Sequence, residues 1–229
     1  MDPDFWHQRW RRGEIGWHLP HPNPHLERYW HRLPVTPGDR VFVPLCGKTH
    51  DLMWLHRQGH PVVGVELSPL AVSQFFMEQR LRPEEQARPP FRCFRAADIE
   101  LLCGDFFELT RQRLGRVQAV WDRAALIAMP PELRPRYARH LLQVVPPGTP
   151  VLLATMEYPQ VEMAGPPFSV AETEVHELFG DAYRLERLHA EDILSQQPRF
   201  QERGLTHLVE KVYRLLPKGE AQTVASPRD

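Results

Sequence analysis

The 229-residue sequence lacks several features that would assign a class of protein directly. It has only three cysteines, Cys46, Cys93 and Cys103, and no Cys-x-x-Cys pair, so neither a disulfide framework nor a thiolate zinc site is indicated. No apolar run approaches the ~18 residues that a membrane span needs. The opening residues, MDPDFWHQRW, do not follow the pattern of a signal peptide. We therefore expect a cytoplasmic protein without a membrane partner.

The sequence also lacks an excess of charge of either sign. Lysine and arginine number 28, aspartate and glutamate 29, and the formal net charge is −1. Nucleic-acid-binding proteins usually carry a basic stripe, so we expect no nucleic-acid partner. Three of the 12 histidines, His18, His21 and His25, lie close together but in a segment interrupted by prolines. That spacing is not typical of metal ligands, and we expect no metal site.

A glycine-rich phosphate-binding loop is missing as well. Residues 41–49, VFVPLCGKT, end like a P-loop, but Phe42 stands where that motif requires its first glycine. Dinucleotide sites need Gly-x-Gly-x-x-Gly, whereas the turn after Leu45 contains one glycine, Gly47. This turn suits a ligand that has an adenosine but no phosphate, and S-adenosylmethionine is such a ligand.

Compact apolar segments alternate with helical segments through most of the chain, which predicts an α/β fold with a doubly wound, mostly parallel sheet. Two C-terminal segments, 183–192 and 206–217, read as strands with a short helix-free connection, the last one antiparallel at the end of the sheet. We expect one domain over residues 1–229, with 1–34 as an N-terminal cover and 218–229 as a frayed tail. The other predicted strands are 39–45, 61–67, 91–98, 117–122 and 150–157.

Glu66 occupies a position at which ligands of α/β sheets are bound. Such ligands lie beyond the carboxyl ends of the strands, and Glu66 ends the second predicted strand, 21 residues after Leu45. An acidic side chain there can accept hydrogen bonds from ribose hydroxyls. The alternative is that Glu66 only caps the helix that begins near Ser68.

Seven strings in the sequence are specific in combination: FWHQRW, GEIGWH, VFVPLCGKTHDLMWL, VVGVELSPLAV, CGDFFEL, VWDRAALIAM and GPPFSV. Together they resemble the thiopurine S-methyltransferase family, in its bacterial branch. The resemblance covers nearly the whole chain, from about Phe5 to Leu215. It implies a class I methyltransferase fold, with a seven-stranded sheet, an antiparallel last strand and an N-terminal helical cover. It also implies S-adenosylmethionine as the methyl donor.

The resemblance further implies which residues form the site. Arg123 would lie near donor and acceptor and act by orientation and electrostatics rather than as a general base. The alternative for Arg123 is a structural ion pair with Asp122 or Asp105. Trp17, where relatives often carry Phe, and Phe168 would flank the acceptor, although Phe168 could instead anchor its loop in the core. The donor-binding residues implied are Trp10, Leu45, Glu66, Asp105, Phe106 and Arg123.

The predicted activity is methyl transfer by in-line displacement from S-adenosylmethionine to the sulfur of aromatic or heterocyclic thiols such as thiopurines. An alternative is methylation of selenium or tellurium oxyanions. A nicotinamide-dependent oxidoreductase and a non-catalytic nucleotide-binding module are more distant alternatives, and the missing glycine motif counts against the first. We expect a monomer that acts on a small-molecule thiol or metalloid compound.

Overall fold

A computed structural model describes residues 2–218 of the protein. The strands in this part of the chain are β1 (Val41–Val43), β2 (Val62–Glu66), β3 (Glu84–Arg88), β4 (Phe91–Ala96), β5 (Ile99–Cys103), β6 (Ala119–Arg123), β7 (Val151–Glu157), β8 (Tyr183–Asp192) and β9 (Val209–Pro217). The α-helices are α1 (Pro3–Arg12), α2 (Pro24–Tyr29), α3 (Asp51–Arg57), α4 (Pro69–Glu78), α5 (Arg111–Leu114), α6 (Arg134–Val144), α7 (Glu172–Phe179) and α8 (Pro198–Gln201).

The strands form one sheet in the order β3-β4-β5-β2-β1-β6-β7-β9-β8. Strands β5, β2, β1, β6 and β7 are mutually parallel, and β9 runs antiparallel to β7 and β8. The parallel strands are short and apolar, as expected for strands covered on both faces. The predicted α/β fold with a mostly parallel sheet and an antiparallel last strand is therefore confirmed.

The sheet has nine described strands rather than seven, because β3 and β4 extend it at one edge. The predicted third strand, 91–98, contains β4, which is antiparallel to its neighbour β5. The third parallel strand is β5, which sequence analysis missed. The reversal between β4 and β5 passes through Ala97, whose φ is +50°. Neither glycine nor proline marks this turn, so no turn residue indicated that a second strand follows residue 98.

The C-terminal part differs from the prediction in its order and its helices. Strand β9 lies between β7 and β8, so the last strand is not at the end of the sheet. Helix α7 was not predicted, and the supposedly helix-free connection between β8 and β9 contains α8. Helix α8 has only four residues, which is too short to leave a periodic pattern of apolar residues, so it could not be predicted from the sequence.

Helices cover both faces of the sheet around separate apolar clusters. Helices α2, α3 and α4 pack on one face, and α5, α6 and α7 on the other. Asn23 caps α2 and Ser68 caps α4. The helix after β1 begins at Asp51, with His50 at the cap position.

The N-terminal segment runs across the carboxyl edge of the sheet. Helix α1 ends at Gly13, whose φ is +68°, and it buries Trp10. Of the predicted frayed tail, 218–229, all but Lys218 lies outside the described residues. Within residues 2–218 no helix combines the length and apolar character needed to cross a membrane.

Asp51 joins the N-terminal segment to the core and provides a test of the fold. Its carboxylate, 1% exposed, accepts hydrogen bonds from the Asn23 amide and from the Trp121 indole Nε1, both at 2.7 Å. Asp51→Ala leaves two buried donors without an acceptor, so we expect a loss of roughly 2–4 kcal/mol in the free energy of unfolding, measured in urea. The exposed control Asp181→Ala should change it by less than about 0.5 kcal/mol. Equal stability of both variants would contradict this role.

Candidate active site

A cavity of about 300 Å³ opens at the carboxyl edge of the sheet, where β1, β2, β5 and β6 end. Residues from these strand ends, from α1 and from the segment around Gly16 form its wall. The structure thus brings together seven of the eight predicted site residues, although their roles remain predictions. The seven are Trp10, Trp17, Leu45, Glu66, Asp105, Phe106 and Arg123.

Phe168, the eighth, is not part of the cavity wall that the described residues form. Its amide donates to the Ile127 carbonyl at 2.7 Å, and its ring packs against Gly165. The loop reaches the cavity through Pro166 and Pro167 instead. Phe168 is half-buried and does not belong to the apolar core clusters of the described residues, so its role stays a prediction.

The turn after β1 brings the backbone close to the cavity. Leu45 and Gly47 both have positive φ, at +46° and +53°. A Cβ on Gly47 would lie 3.2 Å from the Trp10 ring, so glycine permits the indole to rest on this turn. Lys48 donates to Glu78 at 2.6 Å, which accounts for the lysine of the P-loop-like string without a phosphate.

Glu66 places a buried carboxylate in the cavity wall. Its Oε2 accepts from the Gly47 amide at 2.8 Å and its Oε1 from the Ser68 amide at 2.7 Å. Burial raises the pKa of Glu66 to about 7, and these backbone hydrogen bonds oppose the rise. The carboxylate thus touches the first turn of α4, as the capping alternative suggested. Each oxygen still has a lone pair for a ligand hydroxyl.

Asp105 and Phe106 follow β5 directly. The Asp105 carboxylate accepts from the Phe107 amide at 2.8 Å and starts a short 3-10 turn. The Phe106 ring is 5% exposed and packs 5.1 Å, centroid to centroid, from the Tyr137 ring. An aromatic side chain anchored in the core in this way presents a fixed apolar edge to the cavity.

Arg123 ends β6, and its Nη1 donates to the Trp17 carbonyl at 2.7 Å. Among residues 2–218 no carboxylate lies within 4.0 Å of its guanidinium, so neither ion pair considered above is formed. Asp122 instead accepts from the Tyr137 hydroxyl at 2.7 Å, and burial raises the pKa of Asp122 to about 6. Burial lowers the pKa of Arg123, and the negative charges of Asp51 and Glu210 oppose this effect.

Trp17 stands between two other indoles of the N-terminal segment. Its ring meets Trp6 and Trp10 edge to face, at centroid distances of 5.4 and 5.9 Å. The cavity wall also contains side chains that sequence analysis missed. For Arg199, Phe200 and Arg203 the available indication was the string PRFQER at 198–203, which has an aromatic residue between two arginines. The missed residues are Arg9, Arg136, Arg199, Phe200 and Arg203. In the described part of the chain, no cluster of three or more His, Cys, Asp or Glu is arranged to hold a metal.

Residues 1–218 match the model of the thiopurine S-methyltransferase family. The chain belongs to this family. It is 51% identical over 219 residues to the thiopurine S-methyltransferase of Pseudomonas aeruginosa strain UCBPP-PA14, which covers 96% of this chain and 100% of the relative. It is 48% identical over 218 residues to the thiopurine S-methyltransferase of Nitrosospira multiformis, which covers 95% of this chain and 99% of that relative.

The fold also resembles that of solved methyltransferases. One is the 1,6-didemethyltoxoflavin-N1-methyltransferase of Burkholderia thailandensis, solved with S-adenosylhomocysteine. The TM-score is 0.60 at 16% identity, over 93% of this chain and 87% of that one. Such low identity supports the fold alone. With the family match, it confirms the predicted class I methyltransferase fold and the predicted enzyme class, an S-adenosylmethionine-dependent member of the thiopurine S-methyltransferase family.

The raised pKa of Glu66 predicts how the stability of this methyltransferase depends on pH. Between its ordinary value of 4.5 and about 7, the folded state keeps a proton that the unfolded state has lost, so stability falls as the pH rises through this window. Glu66→Gln removes that titration. From pH 5 to 8, the wild-type free energy of unfolding should fall by roughly 1–3 kcal/mol relative to the variant, measured by urea unfolding. Parallel pH dependences would show that Glu66 does not titrate in this range.

Proposed function

We propose that this enzyme transfers the methyl group of S-adenosylmethionine to the sulfur of aromatic or heterocyclic thiols such as thiopurines. The observation that carries the proposal is that two chemically different groups of side chains line the cavity. A buried carboxylate, Glu66, lies in one part, and a wall of guanidinium groups and aromatic rings, including Arg123 and Trp17, lies in another. Bound S-adenosylmethionine supplies a methyl group activated by a sulfonium.

The donor is assigned to the part of the cavity near β1, β2 and β5. Glu66 accepts hydrogen bonds from the ribose hydroxyls through lone pairs that Gly47 and Ser68 leave free. Asp105 and Phe106 lie beside the adenine. No glycine-rich phosphate cradle is needed, because the donor has no phosphate. These residues therefore suit the donor: a carboxylate can accept from the ribose hydroxyls, and an aromatic ring can pack beside the adenine.

The N-terminal segment, residues 1–34, is assigned as the cover of the bound donor. Trp10 closes over the donor from its seat on the Gly47 turn, with Leu45 beside it. Trp10 and Trp17 exclude water from the sulfonium, since they lie edge to face at the cavity. This cover is mobile before the donor binds and becomes ordered with it.

The acceptor is assigned to the part of the cavity near Arg123. Burial and the neighbouring Arg203 and Arg123 lower the pKa of Arg199, so these three guanidiniums act on one another. In the part of the chain that the structure describes, none has a carboxylate within 4.0 Å. Grouped cations without counterions stabilise a thiolate, so Arg123 favours the reactive form of the acceptor and no general base is required.

Methylation of selenium or tellurium oxyanions is a second candidate activity. The same guanidinium groups favour it, because arginine binds small oxyanions through a planar fork of donors. We further propose that the enzyme acts as a monomer, since residues of a single chain form the wall of the cavity.

Calorimetry tests the donor assignment. S-adenosylmethionine and S-adenosylhomocysteine should bind, whereas NAD and ATP should not. Glu66→Ala should weaken donor binding by roughly 1.5–3 kcal/mol, the scale of hydrogen bonds to a charged group. Glu66→Gln, which keeps one acceptor oxygen, should have a smaller effect. Unchanged donor affinity in both variants would leave helix capping as the role of Glu66, and tight NAD binding without donor binding would overturn the assignment.

Kinetics with Arg123 variants test the acceptor assignment. Arg123→Ala should lower kcat/KM for 6-mercaptopurine about 100-fold or more, as expected when a charged stabilising group is lost. Arg123→Lys keeps the charge without the fork and should lose less. The melting temperature should change little in either variant. An enzyme that methylates selenite or tellurite but no thiol would support the second candidate, and methylation of nucleic acid or protein alone would contradict both.

A further inference from the structure

Helix α6 packs against the turn that follows β5. The Tyr137 ring lies 5.1 Å, centroid to centroid, from the Phe106 ring. His140 donates through Nε2 to the Phe106 carbonyl at 2.9 Å, and the His140 and Phe106 rings meet edge to face at 5.0 Å. The Arg136 guanidinium carbon lies 4.1 Å from the centroid of the Phe107 ring. Three side chains of one helix thus contact the two aromatic residues of this turn.

Arg136 differs from the neighbouring Arg134 in what its guanidinium contacts. Arg134 is buried, forms an ion pair with Glu174 and donates to two backbone carbonyls. Arg136 is exposed and forms no ion pair or hydrogen bond with the rest of residues 2–218. Its guanidinium instead lies over the Phe107 ring, and both side chains belong to the cavity wall. Arg134 therefore has a structural role, whereas the guanidinium of Arg136 is available to a ligand.

Arg136 belongs to the same part of the cavity wall as Asp105. The Asp105 carboxylate accepts from the Phe107 amide at 2.8 Å, and the ring of the same phenylalanine lies under the Arg136 guanidinium. Burial lowers the pKa of His140, the positive charge of Arg136 lowers it further, and the negative charge of Asp105 opposes this effect. Both charges thus act on one imidazole. Arg136 therefore lies at the end of β5, away from the end of β6 that carries Arg123.

We propose that Arg136 is a donor-binding residue, and that its guanidinium stacks on the adenine ring of S-adenosylmethionine through the face that Phe107 leaves free. A guanidinium is planar and weakly hydrated, so it stacks on aromatic faces and needs no negative charge in the ligand. Phe107 holds this plane in place before the donor binds, which lowers the entropy lost on binding. This inference rests on the proposed function, which assigns the adenine to Asp105 and Phe106.

Two ligands distinguish a contact with the adenine from a contact with the amino-acid tail of the donor. An arginine in this cavity could also bind the carboxylate of that tail. S-adenosylhomocysteine has both the adenine and the carboxylate, whereas 5′-methylthioadenosine has the adenine and the ribose but no amino-acid tail. Loss of a stacking contact should weaken the binding of both ligands by the same factor. Loss of a carboxylate contact should weaken S-adenosylhomocysteine alone.

Calorimetry with these two ligands tests the inference. Arg136→Ala should raise both dissociation constants about tenfold, the scale of a cation–π contact in a desolvated site. Arg136→Lys keeps the charge but lacks the plane, so it should bind nearly as weakly as Arg136→Ala. Arg139→Ala is the matched control, because Arg139 is an exposed arginine of the same helix outside the cavity wall of the described residues. It should change either constant less than about twofold.

Steady-state kinetics locate the effect at the donor. Arg136→Ala should raise KM for S-adenosylmethionine in parallel with the dissociation constant of S-adenosylhomocysteine. At saturating donor, kcat and KM for 6-mercaptopurine should stay close to those of the wild type. Arg136 is exposed, so the melting temperature without ligand should also stay close to that of the wild type. This split separates a contact with the donor from a structural role of Arg136 in α6.

The inference is overturned if Arg136→Ala leaves the affinity for S-adenosylhomocysteine unchanged, or if 5′-methylthioadenosine binds the variant as well as the wild type. It is also overturned if Arg136→Lys binds like the wild type, or if the loss appears only in KM for the acceptor. Donor binding is measured without an acceptor. An enzyme whose donor binding depends on Arg136 but which methylates no thiol would therefore refute the proposed acceptor and still support this inference.

Discussion

The buried carboxylate of Glu66 is the interaction around which the carboxyl edge of the sheet is organised. It accepts from the Gly47 amide after β1 and from the Ser68 amide at the start of α4, so two turns are fixed to one strand end. A carboxylate can lie there only because backbone donors compensate part of the cost of its burial. The incomplete compensation appears as a pKa raised to about 7. The group that holds these two turns is thus also the proposed acceptor for the ribose hydroxyls.

The rest of the cavity follows from the strand order. Because β1 lies between β2 and β6, the turns after these three strands meet at one edge and bring Gly47, Glu66 and Arg123 to a common cavity. Its wall contains the Glu66 carboxylate at the end of β2 and the Arg123 guanidinium at the end of β6, and the proposed donor and acceptor positions follow these two groups.

The cavity is closed by parts of the chain that do not belong to the parallel sheet. Helix α1 places Trp10 on the Gly47 turn, while α8, between β8 and β9, supplies Arg199. The N-terminal turn is thereby bound to a segment 183 residues away. In this structure the N-terminal segment contacts the rest of the chain through backbone carbonyls as well as through packing of its indole rings.

Glu66 could be predicted from the strand pattern alone, because it ends an apolar run and the carboxyl ends of parallel strands meet at one edge. Leu45 and Arg123 were predicted through the resemblance to the family's motifs. The family could be read from the sequence for the same local reason, since its motifs are contiguous strings. Only the tertiary structure decided the place of Phe168, the β4–β5 reversal and the entry of Arg199 and Arg203 into the cavity wall. Phe168 and the arginines depend on contacts between distant segments, for which no local periodicity exists, and the reversal depends on a positive φ at Ala97 that no glycine marks.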